Sequence, residues 1–337
     1  MRILENYDLT TLNTLGISAH AKFFFILEKE SDLKDLFLSG CFKDNPKFFL
    51  GGGSNVLFTR DFNGIVILNK LKGIEILREN PENVWVRSLG GEIWHDLVNF
   101  ATKRGYWGIE NLSLIPGTVG AAPMQNVGAY GAELKDVLEN IEVYDIQSTA
   151  KIIFTKEECE LGYRDSVFKN KLKGKYFISA ITVKLSKKEK KNISYKVLQE
   201  YLEKNKIQVK SSRDISDAVS AIRRSKLPDP AFIPNAGSFF KNVFLQKNKA
   251  AKFFKQYPNA PHFEEDEMTK IPAAWLIEQA GWKGKRVGNA GVHEKQALVL
   301  VNYGAASGAE IKNLAEQIIA SVFAKFGLKL IAEVNLI

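Results

Sequence analysis

Three short stretches of this chain combine polar side chains with glycines in patterns that could do chemistry. NAGSFFKN, Asn235–Asn242, sets Ser238 between Gly237 and two phenylalanines, with Lys241 close behind. A serine there could be a nucleophile, a proton donor or the cap of a turn. No Ser-x-x-Lys and no G-x-S-x-G surrounds it, and no histidine is placed as its base. A nucleophilic serine is therefore disfavoured. GYRD, Gly162–Asp165, sets Arg164 beside Tyr163. A guanidinium can clamp a carboxylate through two parallel hydrogen bonds, although in isolation a surface ion pair reads the same way. AEVNLI carries Glu333 in an apolar strand, either on a solvated face or held for a purpose.

Two glycine-rich segments could supply a binding surface. In LGGGSNVLF, Gly51, Gly52 and Gly53 follow an apolar run. Glycines let backbone N–H groups approach a bound group closely, and Ser54 and Asn55 add side-chain donors. G-x-G-x-x-G fails because Val56 takes the third glycine's place, and no G-x-x-x-x-G-K-[ST] occurs. A Rossmann or P-loop nucleotide site is thus disfavoured. IPGTVGAAPMQNVGAYG holds Gly117, Gly120, Gly128 and Gly131 among alanines. Such density leaves room for a flat ligand against the backbone, with Gln125 and Asn126 offering donors and acceptors. A tight turn and a packed structural loop are the alternatives for these two segments.

The elements that must position these residues follow from periodicity and turn chemistry. AKFFFILE, KFFL and GIVILN read as strands and SDLKDLFLS as a helix, a small βαβ-like unit. GIEIL and VWVRSL flank a turn cluster as a hairpin, and GEIWHDLVNFATKRG reads as an amphipathic helix stopped by Gly105. IEVYDI and AKIIF are further strands, and TKEE reads as the capping box of a short helix. DISDAVSAIRRSKL and IPAAWLIEQAG are helical, and QALVLVN is a buried strand. Ser307-x-x-Glu310 opens a long helix that Gly327 closes, before a last strand in LKLIAEVNLI.

At roughly 150 residues per domain, 337 residues imply two or three domains. No apolar run reaches the ~18 residues of a membrane span, and MRILENYDLT lacks a secretory h-region. With Cys41 and Cys159 the only cysteines, there is no disulfide framework, and a cytoplasmic location is expected. The histidines form no H-E-x-x-H, so no metal is expected. A net charge of +9 favours an anionic partner without naming it. The densest basic run, Lys184–Asn192, lacks interleaved aromatics and reads as a solvated loop rather than a nucleic-acid site.

Together the motifs resemble the UDP-N-acetylenolpyruvoylglucosamine reductase family, in order and along nearly the whole chain. The segments are NTLGISAHA, LGGGSNVLF, GIENLSLIPGTVGAAPMQNVGAYGAEL, GYRDSVFK, KLPDP, NAGSFFKN, IPAAWLIEQAGWKG, VHEKQALVLVN and the terminal EV. The resemblance implies an α+β protein: a two-lobed FAD-binding fold of the vanillyl-alcohol-oxidase type plus an α+β substrate domain. Residues 1–70 and 71–212 would be the lobes and 213–327 the substrate domain, with the strand in 328–337 returning to the second lobe. It implies FAD held by Gly51, Gly52, Gly53, Ser54, Asn55, Pro116, Gly117, Thr118, Gly120, Gln125, Asn126, Gly128 and Ala129. NADPH would be the hydride donor, taking turns with the substrate in one pocket. The substrate would be an enolpyruvyl UDP-sugar of peptidoglycan precursor synthesis, with Tyr195, Lys226 and Asn242 on its diphosphate and Tyr163 nearby. Tyr195 belongs to the form of the family with an extra tyrosine-bearing segment. Arg164 and Glu333 would attend the carboxylate. Ser238 would be the general acid, with the two phenylalanines excluding water. A monomer is expected, with no nucleic-acid partner and no membrane insertion.

Two competing readings share some of these features. An FAD oxidase of the same fold would use the glycine loops but not NAGSFFKN. A non-catalytic polyanion-binding protein would explain the charge but not the apolar glycine loops.

Overall fold

The computed structural model describes residues 2–265 and 267–337. The chain divides into two units. The first holds the chain up to Tyr7, His20–Gly52 and Phe62–Ser225; the second holds Asp8–Ala19, Gly53–Asp61 and Lys226–Ile337.

The first unit begins with the expected βαβ arrangement. Strands His20–Leu27 and Lys47–Leu50 flank Phe62–Asn69, both parallel to it, in registers Phe24↔Val66 and Phe49↔Ile67. Helix Asp32–Leu38 buries Leu33, Leu36 and Phe37, the i, i+3, i+4 stripe of an amphipathic helix. Five antiparallel strands form a second sheet, ordered Lys151–Thr155, Leu138–Asp145, Tyr176–Ser186, Asn83–Leu89 and Ile74–Glu79. Asn83–Leu89 alternates strictly, with Val84, Val86 and Ser88 inward, as a strand with one face on the core must. Helix Trp94–Lys103 packs Trp94, Leu97, Val98 and Ala101 into the same core. The Trp94 Nε1–H donates to Leu112 O at 2.9 Å, which ties the helix to the long apolar loop.

TKEE forms its capping box without a helix. Thr155 N–H donates to Glu158 Oε2 at 2.7 Å and Glu158 N–H to Thr155 Oγ1 at 3.3 Å. The chain stays a turn because Glu160, at φ 45°, sits in the left-handed region and ends it after one turn. The third expected region also starts later than its sequence suggests. Helix Ser212–Lys226 groups with the first unit up to Ser225. Its Ile215, Val219 and Ile222 pack on Leu198 and Leu202 of helix Lys196–Lys204.

The second unit has an antiparallel sheet ordered Asn235–Ser238, Val299–Asn302, Ala290–Val292 and Arg286–Val287. Three further strands, Val243–Gln246, Met268–Ile271 and Phe263–Glu265, pair antiparallel. Helix Gly308–Phe326 carries the Ser307/Glu310 capping box and ends at Gly327, φ 67°. The expected terminal strand is short. Asn335–Leu336 is its only strand, paired parallel with Val56–Leu57 rather than with a strand of 71–212, while Ala332 makes an isolated bridge to Phe240. Among the described residues no helix is long and apolar enough to cross a membrane. Both cysteines are free.

The second sheet of the first unit carries a largely buried charge cluster. Arg87 grips Glu142 through Nε at 2.5 Å and a terminal nitrogen at 2.7 Å, and Lys151 Nζ lies 2.7 Å from the same carboxylate. Burial raises the Glu142 carboxyl, but the two cations outweigh it and hold it below the usual carboxylate range. Its stabilisation is therefore present above the unfolded carboxyl value and lost as pH falls through the lower folded one. Removing one partner of a fully buried pair costs about 3–5 kcal/mol, but here Arg87 also pairs with Glu75 at 2.8 Å and Lys151 with Glu30 at 3.4 Å, which lowers the cost to about 1–3 kcal/mol. Glu142→Gln is expected to lose stability on that scale in urea unfolding at neutral pH. The deficit should shrink in acid, where the wild-type carboxyl is itself protonated.

Candidate active site

The first unit brings backbone against backbone. A Cβ at Gly52 would lie 2.9 Å from Gly117 Cα, and one at Gly51 would lie 2.4 Å from Thr118 Oγ1. At Gly120 it would meet Gly90 Cα at 3.0 Å and Ile178 O at 3.1 Å. A side chain at Gly52 would strike backbone, and at Gly51 and Gly120 the neighbouring atoms would have to give way. The loop is fixed by Trp94 N–H to Gly117 O, Val119 N–H to Glu92 O and Gly120 N–H to Gly90 O, at 3.0, 2.8 and 2.8 Å. Thr118 Oγ1 is buried here without a hydrogen-bond partner. Pro116 is exposed at the loop's edge, ahead of the 3-10 helix Val119–Gln125.

Asn126 follows that helix at φ 41° and is fully buried. Its amide nitrogen donates to Glu133 Oε2 at 2.9 Å and Gly162 O at 3.0 Å, and its Oδ1 accepts Lys135 N–H at 2.9 Å. The Asn126 side chain thus holds the loop together, and only its backbone is left to face a ligand. Ser166 Oγ–H donates to Met124 O at 2.8 Å, so the GYRDS segment is latched to the glycine loop at two points.

Arg164 sits in the left-handed region at φ 51°, within a tight turn closed by Gly162 and Asp165. Its guanidinium donates to Gly128 O at 2.7 Å, and the Tyr163 ring lies 5.5 Å from it. Gly128–Ala129 and Ala132–Glu133 form a hairpin whose two turn residues, Tyr130 and Gly131, have φ 49° and 80°. Both angles positive is the signature of a type I′ turn, which favours Asn-Gly. A tyrosine there costs about 1–3 kcal/mol of strain, which other contacts must hold in place. Asn111 Nδ2 supplies two of them, to Tyr130 O at 2.8 Å and Asn192 O at 2.9 Å. Asn192 Nδ2 in turn donates to Gly131 O at 2.8 Å. The Tyr130 ring meets Tyr195 edge-on, centroids 5.4 Å apart.

Arg223 completes this cluster and was not among the residues singled out from the sequence. It is partly buried, and the groups acting on it are the Tyr130 phenol and the Arg164 guanidinium. Among the described residues no carboxylate balances it. Burial first, and then the charge of Arg164, push the guanidinium below its usual value, although arginine remains protonated. The signal was present in AIRRSK. Arg223 follows buried Val219 by four residues and buried Ile222 by one, so it lies at the edge of the apolar face.

The second unit holds the serine. Asn235 N–H donates to Thr14 O at 2.8 Å, and Thr14 Oγ1–H donates to Asn235 O at 2.6 Å. Asn235 Nδ2 spans Pro228 O and Ile233 O at 3.1 and 2.8 Å, which ties the chain after Lys226 to the serine strand. Ser238 is exposed, whereas Phe239 and Phe240 are fully buried and stack edge-on at 5.2 Å. The phenylalanines anchor the strand in the core and do not cover the hydroxyl, contrary to the water-excluding role expected of them. Glu333 N–H donates to Phe239 O at 2.8 Å, so the late acid is brought beside the serine strand. Gly53, φ 63°, could not carry a side chain, because Leu12 O would be 1.9 Å away. Asn55 O accepts from Asn335 N and Nδ2 at 3.1 and 2.9 Å, anchoring the segment that bears Glu333. Asn242 Oδ1 accepts Ala273 N–H at 3.1 Å at the start of helix Ala273–Gln279, and Lys226 is exposed. Ser54 and Gln125 are partly buried in their respective units.

Comparison with known proteins places these features in a family. A model described as UDP-N-acetylenolpyruvoylglucosamine reductase, C-terminal domain, matches residues 229–337, and one described as FAD binding domain matches 21–152. The chain is 47% identical over 339 residues to the UDP-N-acetylenolpyruvoylglucosamine reductase of Flavobacterium johnsoniae, covering 100% of both. It is 47% identical, again with 100% of both covered, to that of Amoebophilus asiaticus. The crystal structure of the enzyme from Thermus caldophilus superposes with a TM-score of 0.69 over 99% of this chain and 98% of that one. At 23% identity, that likeness establishes the fold. The expected α+β FAD-binding class therefore holds.

The first unit fits FAD. A flat ring system and a diphosphate need backbone at contact distance and unspent donors, which the glycine cradle and the partnerless Thr118 hydroxyl offer. Gly52→Ala is expected to yield folded protein that has lost its flavin absorbance, since the new Cβ would press on Gly117 backbone rather than on a movable side chain.

Proposed function

The chain belongs to the UDP-N-acetylenolpyruvoylglucosamine reductase family, and we propose that it reduces the enolpyruvyl group of UDP-N-acetylglucosamine-enolpyruvate to give UDP-N-acetylmuramate, with NADPH as the hydride source. Bound FAD would supply the hydride chemistry that links NADPH to the β carbon of the enolpyruvyl double bond. The backbone around Gly51, Gly52, Gly117, Thr118 and Gly120, with Gly128 and Ala129, would hold it in the first unit. Gly53, Ser54 and Asn55 belong to the second unit and are assigned to the same cofactor through the family's motif.

The rest is done by side chains of this protein. As the β carbon gains hydride, negative charge builds on the substrate carboxylate. Arg164 and Arg223 set two guanidiniums near the Tyr130 hairpin, and charge developing beside preorganised donors is strongly stabilised. The observation that carries the reading is the glycine cradle with its partnerless Thr118 hydroxyl, in a chain 47% identical over its whole length to a reductase of the family. Glu333 orders the carboxylate and Ser238 gives the α carbon its proton. Arginine cannot supply that proton. Ser238 can, because its hydroxyl is on the exposed side of a strand pinned by Thr14, Asn235 and the Phe239 carbonyl's bond to Glu333. Tyr195, Lys226 and Asn242 take the diphosphate, for which a phenol, a cation and an amide are suited.

A positioned general acid is worth roughly 10²–10⁴-fold. Ser238→Ala is expected to slow reoxidation by the enolpyruvyl substrate by at least the lower figure in stopped flow. Reduction by NADPH should stay within about threefold of wild type, well inside the effect of losing an acid. Equal losses in both half-reactions would remove the proton-donor role.

A further inference from the structure

The strained tyrosine of the glycine loop is not accounted for by cofactor or substrate binding. Tyr130 occupies the first turn position of a two-residue hairpin at φ 49°, where asparagine or glycine would rest without strain. The surrounding structure keeps it there at three points. Asn111 holds its carbonyl, Asn192 holds the carbonyl of Gly131, and Asn111 also holds the carbonyl of Asn192. This asparagine clasp closes the hairpin onto the segment that leads from the basic run into Tyr195. Ser194 Oγ–H donates to Asn192 Oδ1 at 3.1 Å, and Tyr195 then caps helix Lys196–Lys204, its carbonyl accepting Leu198 N–H at 2.8 Å. The backbone of Tyr195 is thus fixed, while its side chain is 42% exposed and has the Tyr130 ring edge-on against it at 5.4 Å. An exposed phenol on a fixed backbone still rotates between rotamers, and a second ring against it restricts that choice.

We propose that Tyr130 is a positioning residue: its ring, held out by the left-handed backbone and the Asn111–Asn192 clasp, fixes the Tyr195 side chain for the diphosphate of the UDP-sugar. This rests on the proposed reading of Tyr195 as a diphosphate ligand. The basic run gains a place in the same scheme. Lys187 and Lys188 pair with Glu79 and Glu82 at 3.0 and 2.5 Å, so the strap between the second sheet and Asn192 is moored at its start. The rings meet edge-on, so phenylalanine should serve where asparagine does not.

The test compares Tyr130→Asn, Tyr130→Phe, Tyr195→Ala and the double variant Tyr130→Asn/Tyr195→Ala, each loaded with FAD. The Kd for UDP-N-acetylglucosamine-enolpyruvate is read by calorimetry and kcat by steady-state assay. Asparagine suits the turn, so Tyr130→Asn should fold with a melting temperature close to wild type. An aromatic pair of this kind is worth up to about tenfold in an equilibrium constant. Tyr130→Asn should therefore weaken binding by roughly five- to tenfold with kcat little changed, and Tyr130→Phe should stay within about twofold of wild type. The double variant should bind as Tyr195→Ala does, because a residue acting through another adds nothing once that other is gone. Losses that multiply in the double variant, or a Tyr130→Phe as weak as Tyr130→Asn, would overturn the proposal. A Tyr195→Ala that binds the UDP-sugar normally would instead remove the reading of Tyr195, and the proposal with it.

Discussion

Everything in the first unit's site depends on backbone approaching backbone where no side chain can stand. Gly52 against Gly117, and Gly90 against Gly120, bring loops from three parts of the chain to contact distance. Their amides are thereby concentrated on one surface. This is an expensive arrangement, since glycine loses more conformational freedom on folding than any other residue. It is maintained by the sheet and helix beneath: Trp94 reaches the loop through its indole, and Gly90 N–H is held by Ser179 O. Side chains with full sets of partners, Asn126 above all, then lock the loop without offering themselves to the ligand.

Charge is placed on this frame with the same economy. Arg164 donates to the carbonyl of Gly128, which belongs to the hairpin carrying Tyr130. Arg223 arrives from a helix whose apolar face packs elsewhere, on Leu198 and Leu202. Arg87 has a different task, gripping both oxygens of Glu142 within the second sheet. In the second unit the corresponding device is neutral. Thr14 and Asn235 exchange backbone and hydroxyl bonds, and the serine strand is held before any substrate is present.

Much of this was legible in the sequence. The strands and helices with clear periodicity appear where expected, because the apolar stripe of Asp32–Leu38 and the alternation of Asn83–Leu89 are local patterns. The Ser307 box and Gly327 stop are equally local. TKEE shows the limit: its side chains made the box, but Glu160 in the left-handed region ended the helix, and no local pattern announces that. The two buried phenylalanines after Ser238 were misjudged because consecutive residues of a regular strand face opposite ways, whereas a register shift in Asn235–Ser238 and the bridge from Phe240 to Ala332 put both rings inward. Arg223 was passed over because a cation at the edge of an apolar helix face usually snorkels to water. Its significance appears only when the fold brings Arg164 and Tyr130 to it. The short pairing of Asn335–Leu336 with Val56–Leu57 is a contact between distant parts of the chain and has no sequence signature at all.

In the proposed reaction, bound FAD would carry hydride from NADPH to an enolpyruvyl UDP-sugar. The most direct test is an anaerobic absorbance titration of the purified, FAD-loaded protein. A stoichiometric addition of NADPH should bleach the flavin band, and UDP-N-acetylglucosamine-enolpyruvate should then restore it in full. Bleaching that persists after that substrate, yet reverses on admitting oxygen, would contradict the claim and point to an oxidase of the same fold.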